Sequence, residues 1–411
     1  MSKRWIVALA GMIIMLCSGA VYIWGVFQGP LVKMFGWTQA AAALTFSFTL
    51  GIFALGTVVG GRIQDKFGPR EVASVGGFMI GLGVFLASYT TADRAWLLYL
   101  TYGALMGFGV GMIYTPVIAC VSKWFPDRKG TITGLVVGSL GAGGLIFTPI
   151  AKSLVSSKGV LETFAIFGIV FGILIIGAAQ FLKNPPPGYQ PFGWTPPVAG
   201  TKAAIVTRNY SPKEMLATPQ FYMLSMILLI GCISGLMVIP FGKILALQAG
   251  LSDYAATFAI MLISIGNASG RFLWGAAADR MGRVRTLMVL LFVSGVTMLF
   301  LNQLQGFISL VGIGIVAFCY GGFLGTMPAT VADFFGAKHL GVNYGLVLLF
   351  FSASAVGAPI VSAMAKDATG NFKSAFLIGG VASLVGLGIA FITKPPLDNN
   401  GELKAATSVS K

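Results

Sequence analysis

The chain has 411 residues, of which 56% are hydrophobic and only 9% are charged. Soluble domains carry roughly 25% charged residues, so this composition excludes an ordinary globular enzyme. The net charge of +15 does not indicate nucleic-acid binding, because the basic residues are spread over many short loops and not gathered on one face or tail. The apolar runs also lack the ten-residue alternation of a transmembrane barrel. The composition therefore predicts an all-α polytopic membrane protein.

Apolar runs of about 20 residues recur along the chain and predict twelve transmembrane helices in two six-helix halves. We place these helices at 5–27, 39–61, 72–91, 95–122, 131–154 and 162–182, and at 220–246, 254–278, 286–304, 307–330, 341–364 and 373–393. The predicted domains are a first six-helix bundle at 1–182, a cytoplasmic linker at 183–219, a second bundle at 220–394 and a cytoplasmic tail at 395–411. The linker is rich in proline and basic residues, which predicts little packed structure.

The distribution of basic residues predicts the orientation of the chain. With both termini placed in the cytoplasm, 19 of the 27 Lys and Arg residues fall in cytoplasmic loops and tails. Seven fall in external loops, namely Lys33, Arg94, Lys152, Lys158, Lys243, Lys366 and Lys373, and Arg271 alone lies inside a predicted helix. This bias follows the positive-inside rule, so we expect cytoplasmic termini and no nucleic-acid partner.

The two halves of the sequence repeat each other in the same order. The loop GGRIQDKFGPR at 60–70 corresponds to GAAADRMGRVR at 275–285, and KWFPDRKG at 123–130 corresponds to DFFGAKHLG at 333–341. Two halves of equal orientation form a parallel repeat, an architecture of secondary transporters that have their binding site between the halves.

The first pair of repeated loops predicts a gating element in each half. Gly68 and Gly282 are expected to permit the tight turn between two helices. A carboxylate precedes each turn and faces basic residues, so it can clamp neighbouring helices in one conformation of a rocking cycle. The alternative is that the basic residues signal topology only, although the positive-inside rule needs no carboxylate. The candidate gating residues are Asp65, Arg70, Asp279 and Arg283.

These loops, the twelve helices and the central linker resemble the major facilitator superfamily over the whole chain. Four further motifs narrow the resemblance: SGAVYIWGVF in the first helix, KWFPDRKG after the fourth, N-x-x-x-R in the eighth and YGGF-x-G-T-x-P in the tenth. Together they resemble the branch of oxalate/formate antiporters and bacterial monocarboxylate transporters. The resemblance implies the major facilitator fold and alternating-access transport of small monocarboxylates of the lactate, pyruvate and formate class by proton symport. Carboxylate exchange is the alternative.

Arg271 is the strongest candidate for a binding residue. An arginine inside a membrane helix costs roughly 2.5–3.5 kcal/mol on insertion scales. It lies eight residues before Asp279, about 12 Å along a helix, so reaching the interface by snorkelling is strained. A structural ion pair is the other alternative, but no Asp or Glu lies deep within a predicted helix. We therefore expect the carboxylate of a substrate to supply the counter-charge, and the resemblance implies the same role.

Further candidate site residues accompany Arg271. Asn267 lies one turn earlier on the same helix face and either orients the guanidinium or bonds a neighbouring helix. Tyr114 and Tyr320 lie too deep for the interfacial belt, and the resemblance implies that both are hydroxyl donors. We also expect Tyr22 to line the cavity and Leu145, or alternatively Leu140, to set its size.

One position departs from the pattern of the oxalate-transporting relatives. The resemblance places a second cation, a lysine, in their eleventh helix, where this chain has Phe351. A single cation favours a monocarboxylate over a dianion. An oxalate or other dicarboxylate exchanger is therefore the less favoured interpretation.

The expected partners are a small carboxylate, protons and the lipid bilayer. The expected location is the bacterial cytoplasmic (inner) membrane, and the expected state is a monomer. We expect no cofactor and no metal. A membrane enzyme or sensor on the same scaffold is disfavoured, because the sequence has no nucleotide-binding loop, no paired carboxylates and one histidine, His339.

Overall fold

The computed structural model describes residues 3–186, 188–191, 209–336 and 338–396. These residues form helices and no strand, and they include twelve helices long and apolar enough to span a membrane. The predicted all-α class and the number of spans are confirmed. The helices are α1 (Lys3–Phe35), α2 (Gln39–Phe67), α3 (Pro69–Tyr89), α4 (Ala95–Trp124), α5 (Lys129–Lys158), α6 (Val160–Ala179), α7 (Pro219–Gln248), α8 (Asp253–Met281), α9 (Arg283–Leu301), α10 (Gly306–Phe335), α11 (Leu340–Thr369) and α12 (Lys373–Ile392).

Several helices extend beyond the predicted apolar segments. Helix α2 continues from the predicted end at residue 61 to Phe67, and α5 continues from 154 to Lys158. Polar residues at a helix end keep the helical backbone once the chain has left the lipid, so apolar length underestimates helix length. Because the described residues include twelve spans, the start of α1 at Lys3 and the end of α12 at Ile392 lie on one face of the bundle, which we call the terminal face.

The ends of the long helices follow ordinary capping chemistry. Thr38 accepts a hydrogen bond from the Ala41 amide at 3.1 Å at the start of α2, and Ser252 caps α8 in the same way. Gly68 and Gly282, between α2 and α3 and between α8 and α9, have φ values of 92° and 93°. Only glycine adopts this conformation without strain, so the turns predicted in the two repeated loops are confirmed.

The first helix of each half is interrupted along its length. In α1 the segment Gly19–Ile23 is a 3₁₀ turn, and in α7 the segment Ile239–Phe241 is another. Pro240 within the second break has no amide hydrogen for the helical ladder. Such breaks leave backbone groups and side chains in orientations that a continuous helix does not offer.

The two halves meet along two antiparallel helix pairs, α5 with α8 and α2 with α11. A Cβ placed on Gly61 of α2 would lie 3.0 Å from the carbonyl carbon of Gly341 in α11. A Cβ on Gly141 of α5 would lie 2.9 Å from the Cα of Ala268 in α8. Small residues thus bring the helices of the two halves into backbone contact, as is common in membrane interiors.

The described ends of the linker are packed, which differs from the expectation of little structure. The Trp124 indole donates a 2.6 Å hydrogen bond to the Lys183 carbonyl, and the Tyr189 ring packs on Trp124. At the other end, the Tyr210 amide donates to the Phe335 carbonyl at 2.9 Å. A short capped helix, Pro212–Leu216, follows. The central part of the predicted linker, 192–208, and the tail from 397 lie outside the described residues.

Candidate functional site

Arg271 lies inside the bundle with 1% of its surface exposed. Among the residues that the structure describes, it is the only Lys, Arg, Asp or Glu that is buried. It is ten residues before the end of α8 at Met281, roughly 15 Å along the helix axis. The side chain therefore does not snorkel to the terminal face, and its charge is held within the protein.

Two hydrogen bonds fix the orientation of the guanidinium. Arg271 Nε donates to Asn267 Oδ1 at 2.9 Å, and Arg271 Nη2 donates to Tyr22 Oη at 2.9 Å. Asn267 is on the same helix, one turn earlier, whereas Tyr22 belongs to the 3₁₀ break of α1 in the other half. Neither of these two bonds uses Nη1, and the Tyr114 hydroxyl also lies close to the guanidinium.

A cavity adjoins Arg271 between the two halves. It encloses about 430 Å³ of empty space, including its open mouth. Its walls are mainly apolar, with one cation and several hydroxyl groups. The lining residues are Ser18, Val21, Tyr22, Thr49, Leu50, Phe53, Val110, Tyr114, Leu140, Arg271, Leu324, Leu348 and Phe351.

Tyrosine hydroxyls from both halves surround the guanidinium. Tyr22, Tyr114, Tyr320 and Tyr344 all lie within electrostatic range of Arg271. Tyr22 and Tyr114 line the cavity, whereas Tyr320 is fully buried beside Phe351, with the two ring centroids 6.4 Å apart. The hydroxyls of Tyr320 and Tyr344 are buried without a hydrogen-bond partner. The structure therefore brings together the three tyrosines expected from the sequence and adds a fourth.

Tyr344 was not among the sequence candidates. It lies four residues after the start of α11 and seven residues before Phe351. Along the helix, Tyr344 is therefore closer to the terminal face than the cavity-lining Phe351 is. Its ring packs against that of Tyr114 at 6.4 Å. A tyrosine this close to a helix end resembles an interfacial belt residue, and only its burial distinguishes it.

Helix α5 contributes Leu140, and not Leu145, to the cavity. Leu140 is among the lining residues and Leu145 is not. Five residues of α-helix turn the chain by about 140° relative to the starting direction, so these two side chains cannot face the same space. Of the two alternatives considered for this helix, the geometry favours Leu140.

The packing of α10 against α8 explains two glycines of the YGGF-x-G-T-x-P motif. Gly321 of α10 packs on the backbone of Asn267, and a Cβ on Gly325 would lie 2.7 Å from the Cα of Arg271. Helix α10 thus lies directly against the turn of α8 that carries the two polar site residues. Larger residues at either position would displace that turn.

The position expected to hold a second cation in oxalate-transporting relatives contains Phe351, which lines the cavity. Its ring packs on Phe53 at 6.2 Å and on Tyr320 at 6.4 Å. The described part of the cavity wall therefore presents one cation, Arg271, together with the aromatic rings of Phe351 and Phe53.

Comparison with known proteins assigns the family. The family model of the Major Facilitator Superfamily matches residues 7–266 and 223–409. The chain belongs to the major facilitator superfamily. It is therefore a transporter and not an enzyme.

The alignments of this facilitator with curated relatives cover most of both chains. An uncharacterised MFS-type transporter of Escherichia coli, YhjX, is 32% identical over 86% of each chain. The oxalate:formate antiporter of Oxalobacter formigenes is 29% identical over 96% of this chain and 92% of its own. Monocarboxylate transporter 13 of Rattus norvegicus is 27% identical over 92% and 86%.

A solved structure supports the same fold. FucP in the outward conformation covers 94% of this chain and 98% of its own, with a TM-score of 0.67 at 15% identity. At that identity the likeness concerns the fold alone. The expected major facilitator fold, with two six-helix halves, is confirmed.

In this facilitator the two repeated loops make different contacts. Arg283 pairs with Asp279 at 2.7 Å and with Asp333 of α10 at 3.0 Å, so it links α8, α9 and α10. In the first half, Arg70 donates to Gln180 at the end of α6 at 2.8 Å. The backbone of Asp65 lies in α2, but its side chain is outside the described part of the structure.

The KWFPDRKG motif of this facilitator lies at the terminal face, away from the cavity. Arg4 pairs with Asp127 at 3.2 Å and lies over the Phe125 ring at 4.9 Å. Trp124 holds Lys183, as described above. The motif therefore holds the start of α1 and the start of the linker against the end of α4 and the loop that follows it.

Proposed function

We propose that this facilitator is a secondary active transporter of small monocarboxylates of the lactate, pyruvate and formate class. The observation that carries this proposal is Arg271, a buried arginine beside a cavity with otherwise apolar and hydroxyl-bearing walls. A buried charge without a counter-charge is costly. A carboxylate arriving as substrate offsets that cost, and its negative charge is required to do so.

The geometry around Arg271 suits two-point binding of a carboxylate. Asn267 and Tyr22 accept hydrogen bonds from Nε and Nη2, which leaves the Nη1–Nη2 end of the fork for the two substrate oxygens. Tyr22 accepts from Arg271, so its own hydroxyl proton remains available for donation. We assign substrate hydrogen bonding to Tyr22 and Tyr114, and positioning of the guanidinium to Asn267.

The names of the relatives support the same substrate class. They include an oxalate:formate antiporter, monocarboxylate transporters and the apicoplast pyruvate carrier 1 of Toxoplasma gondii. All are named for small carboxylates. The proposal extends that class to this chain through Arg271.

The proposal favours monoanions. One guanidinium matches one carboxylate, while the aromatic surface of Phe351 offers no partner to a second. The relation to an oxalate:formate antiporter keeps carboxylate exchange as the alternative mechanism. The two mechanisms differ in whether net transport occurs without a second acid on the far side.

We further propose proton symport by alternating access. No Asp or Glu is buried among the described residues, so the substrate carboxylate or a bound water is the candidate proton carrier. Arg70, Arg283, Asp279 and Asp65 are proposed as gating residues that stabilise the terminal face in one conformation. The distribution of Lys and Arg supports a cytoplasmic terminal face. We also propose that the protein is a monomer in the bacterial inner membrane.

Uptake into proteoliposomes tests the proposal. The full chain is reconstituted, and labelled L-lactate, pyruvate and formate are supplied with and without an inward proton gradient. We expect uptake that the gradient accelerates and a proton ionophore slows. An uptake rate that is the same with and without the proton gradient would refute symport. Better competition by oxalate than by all three monocarboxylates would refute the monoanion preference.

A further inference from the structure

The bond between Arg271 and Tyr22 links the two halves at the centre of the bundle. The residues are 249 positions apart, and the Nη2–Oη distance is 2.9 Å. The other partner of Arg271, Asn267, lies on the same helix and so moves with it. Tyr22 is therefore a hydrogen-bond partner that the first half supplies to the buried charge, beside the nearby Tyr114 hydroxyl of the same half.

Tyr22 differs from the other tyrosines near Arg271. It lines the cavity and is only partly buried, whereas Tyr320 and Tyr344 are fully buried with unpaired hydroxyls. Tyr22 belongs to the 3₁₀ break Gly19–Ile23, where the regular hydrogen bonds of the α1 helix are interrupted. A substrate entering the cavity therefore reaches the Tyr22 phenol directly, and the phenol bonds Nη2, one of the two nitrogens at the end of the fork that faces a carboxylate.

We propose that Tyr22 acts as the internal partner of Arg271 when no carboxylate is bound, and so allows the unloaded transporter to change conformation. The inference rests on the proposed function. An alternating-access carrier passes through a state in which the site is closed to both sides, and there a buried charge cannot be solvated by bulk water. The phenol oxygen accepts a charge-assisted hydrogen bond and lowers the cost of that state for the empty protein.

This role affects the return of the empty carrier and not the movement of the loaded carrier. Net transport requires the empty carrier to return, whereas exchange of one acid for another uses only the loaded carrier. Removing the hydroxyl of Tyr22 therefore slows net flux selectively. A purely structural role of Tyr22 would slow both fluxes together.

The test compares two fluxes in proteoliposomes that contain the full chain and labelled L-lactate, with labelled formate as a second probe. Net efflux is measured into acid-free buffer, and exchange is measured into buffer with saturating unlabelled acid. The test variant is Tyr22→Phe, which keeps the ring. The matched control is Tyr99→Phe, which removes a partly buried hydroxyl that donates to the Ala41 carbonyl at 2.9 Å, in a part of the first half outside the break that carries Tyr22.

For Tyr22→Phe we expect the ratio of net efflux to exchange to fall about tenfold or more, as the loss of one charge-assisted hydrogen bond in the empty state predicts. Tyr99→Phe is expected to leave the ratio of the two fluxes unchanged. Equal slowing of both fluxes by Tyr22→Phe, or a wild-type chain that exchanges without net efflux, would overturn the inference and leave carboxylate transport standing. A wild-type chain that moves neither probe would instead refute the proposed function and this premise with it.

Discussion

Replacing Arg271 with lysine tests whether the geometry of the guanidinium matters in addition to its charge. The guanidinium donates to Asn267 and Tyr22 at 2.9 Å each and still has the Nη1–Nη2 end for a carboxylate. A lysine carries its three donors on one nitrogen, so it cannot keep both protein contacts and bind two carboxylate oxygens. At least one charge-assisted hydrogen bond is lost, worth about 1.5–3 kcal/mol.

Because about 1.4 kcal/mol corresponds to a factor of ten, we expect Arg271→Lys to raise the KM for L-lactate roughly 10- to 100-fold. The assay is the concentration dependence of labelled L-lactate uptake into proteoliposomes under a fixed proton gradient. Arg280→Lys, the same change at an exposed position of α8, is the control and is expected to leave KM unchanged. A KM for Arg271→Lys within twofold of the wild type would show that charge alone suffices and would refute two-point binding.

Three further variants address other parts of the structure. Phe351→Lys adds a cation to the cavity wall, so oxalate is expected to compete against L-lactate at least about tenfold better than in the wild type; unchanged competition would contradict the proposed basis of monoanion preference. Asn343→Ala removes a buried 3.0 Å hydrogen bond to the Tyr210 carbonyl, and a loss of about 1–3 kcal/mol is expected to lower the thermal unfolding temperature of the detergent-solubilised protein; an unchanged temperature would show that this contact adds no stability. Arg283→Gln breaks the link to Asp333 and is expected to change the maximal uptake rate more than the KM, whereas a change in KM alone would place the residue in binding and not in gating.

Much of the fold followed from local properties of the sequence. The twelve apolar runs and the two repeated loops each depend on residues within one segment, and the structure has the corresponding spans and the turns at Gly68 and Gly282. Arg271 was identifiable because a charge inside an apolar run is unusual wherever its partners lie. Helix ends were less predictable, since polar residues such as those at 62–67 of α2 stay helical outside the apolar run.

The details of the site depend on contacts between distant segments. The bond between Tyr22 and Arg271 requires the 3₁₀ break of α1 and the packing of the two halves, neither of which is encoded by periodicity. The choice between Leu140 and Leu145 requires the rotation of α5 about its axis. Tyr344 was missed because its distance along the chain from the helix end does not show how far its ring reaches into the bundle.

The attachment of the two linker ends has a consequence for how the protein can be assembled. Lys183 and Tyr189 are held by Trp124 in the first half, and Tyr210 is held by Phe335 and Asn343 in the second. None of these contacts crosses from one half to the other, and the halves adhere through α2 with α11 and α5 with α8. A gene divided between codons 191 and 209 would therefore encode two fragments that each keep the contacts of their own linker end, and we expect the fragments to associate in the bilayer without a peptide bond between them.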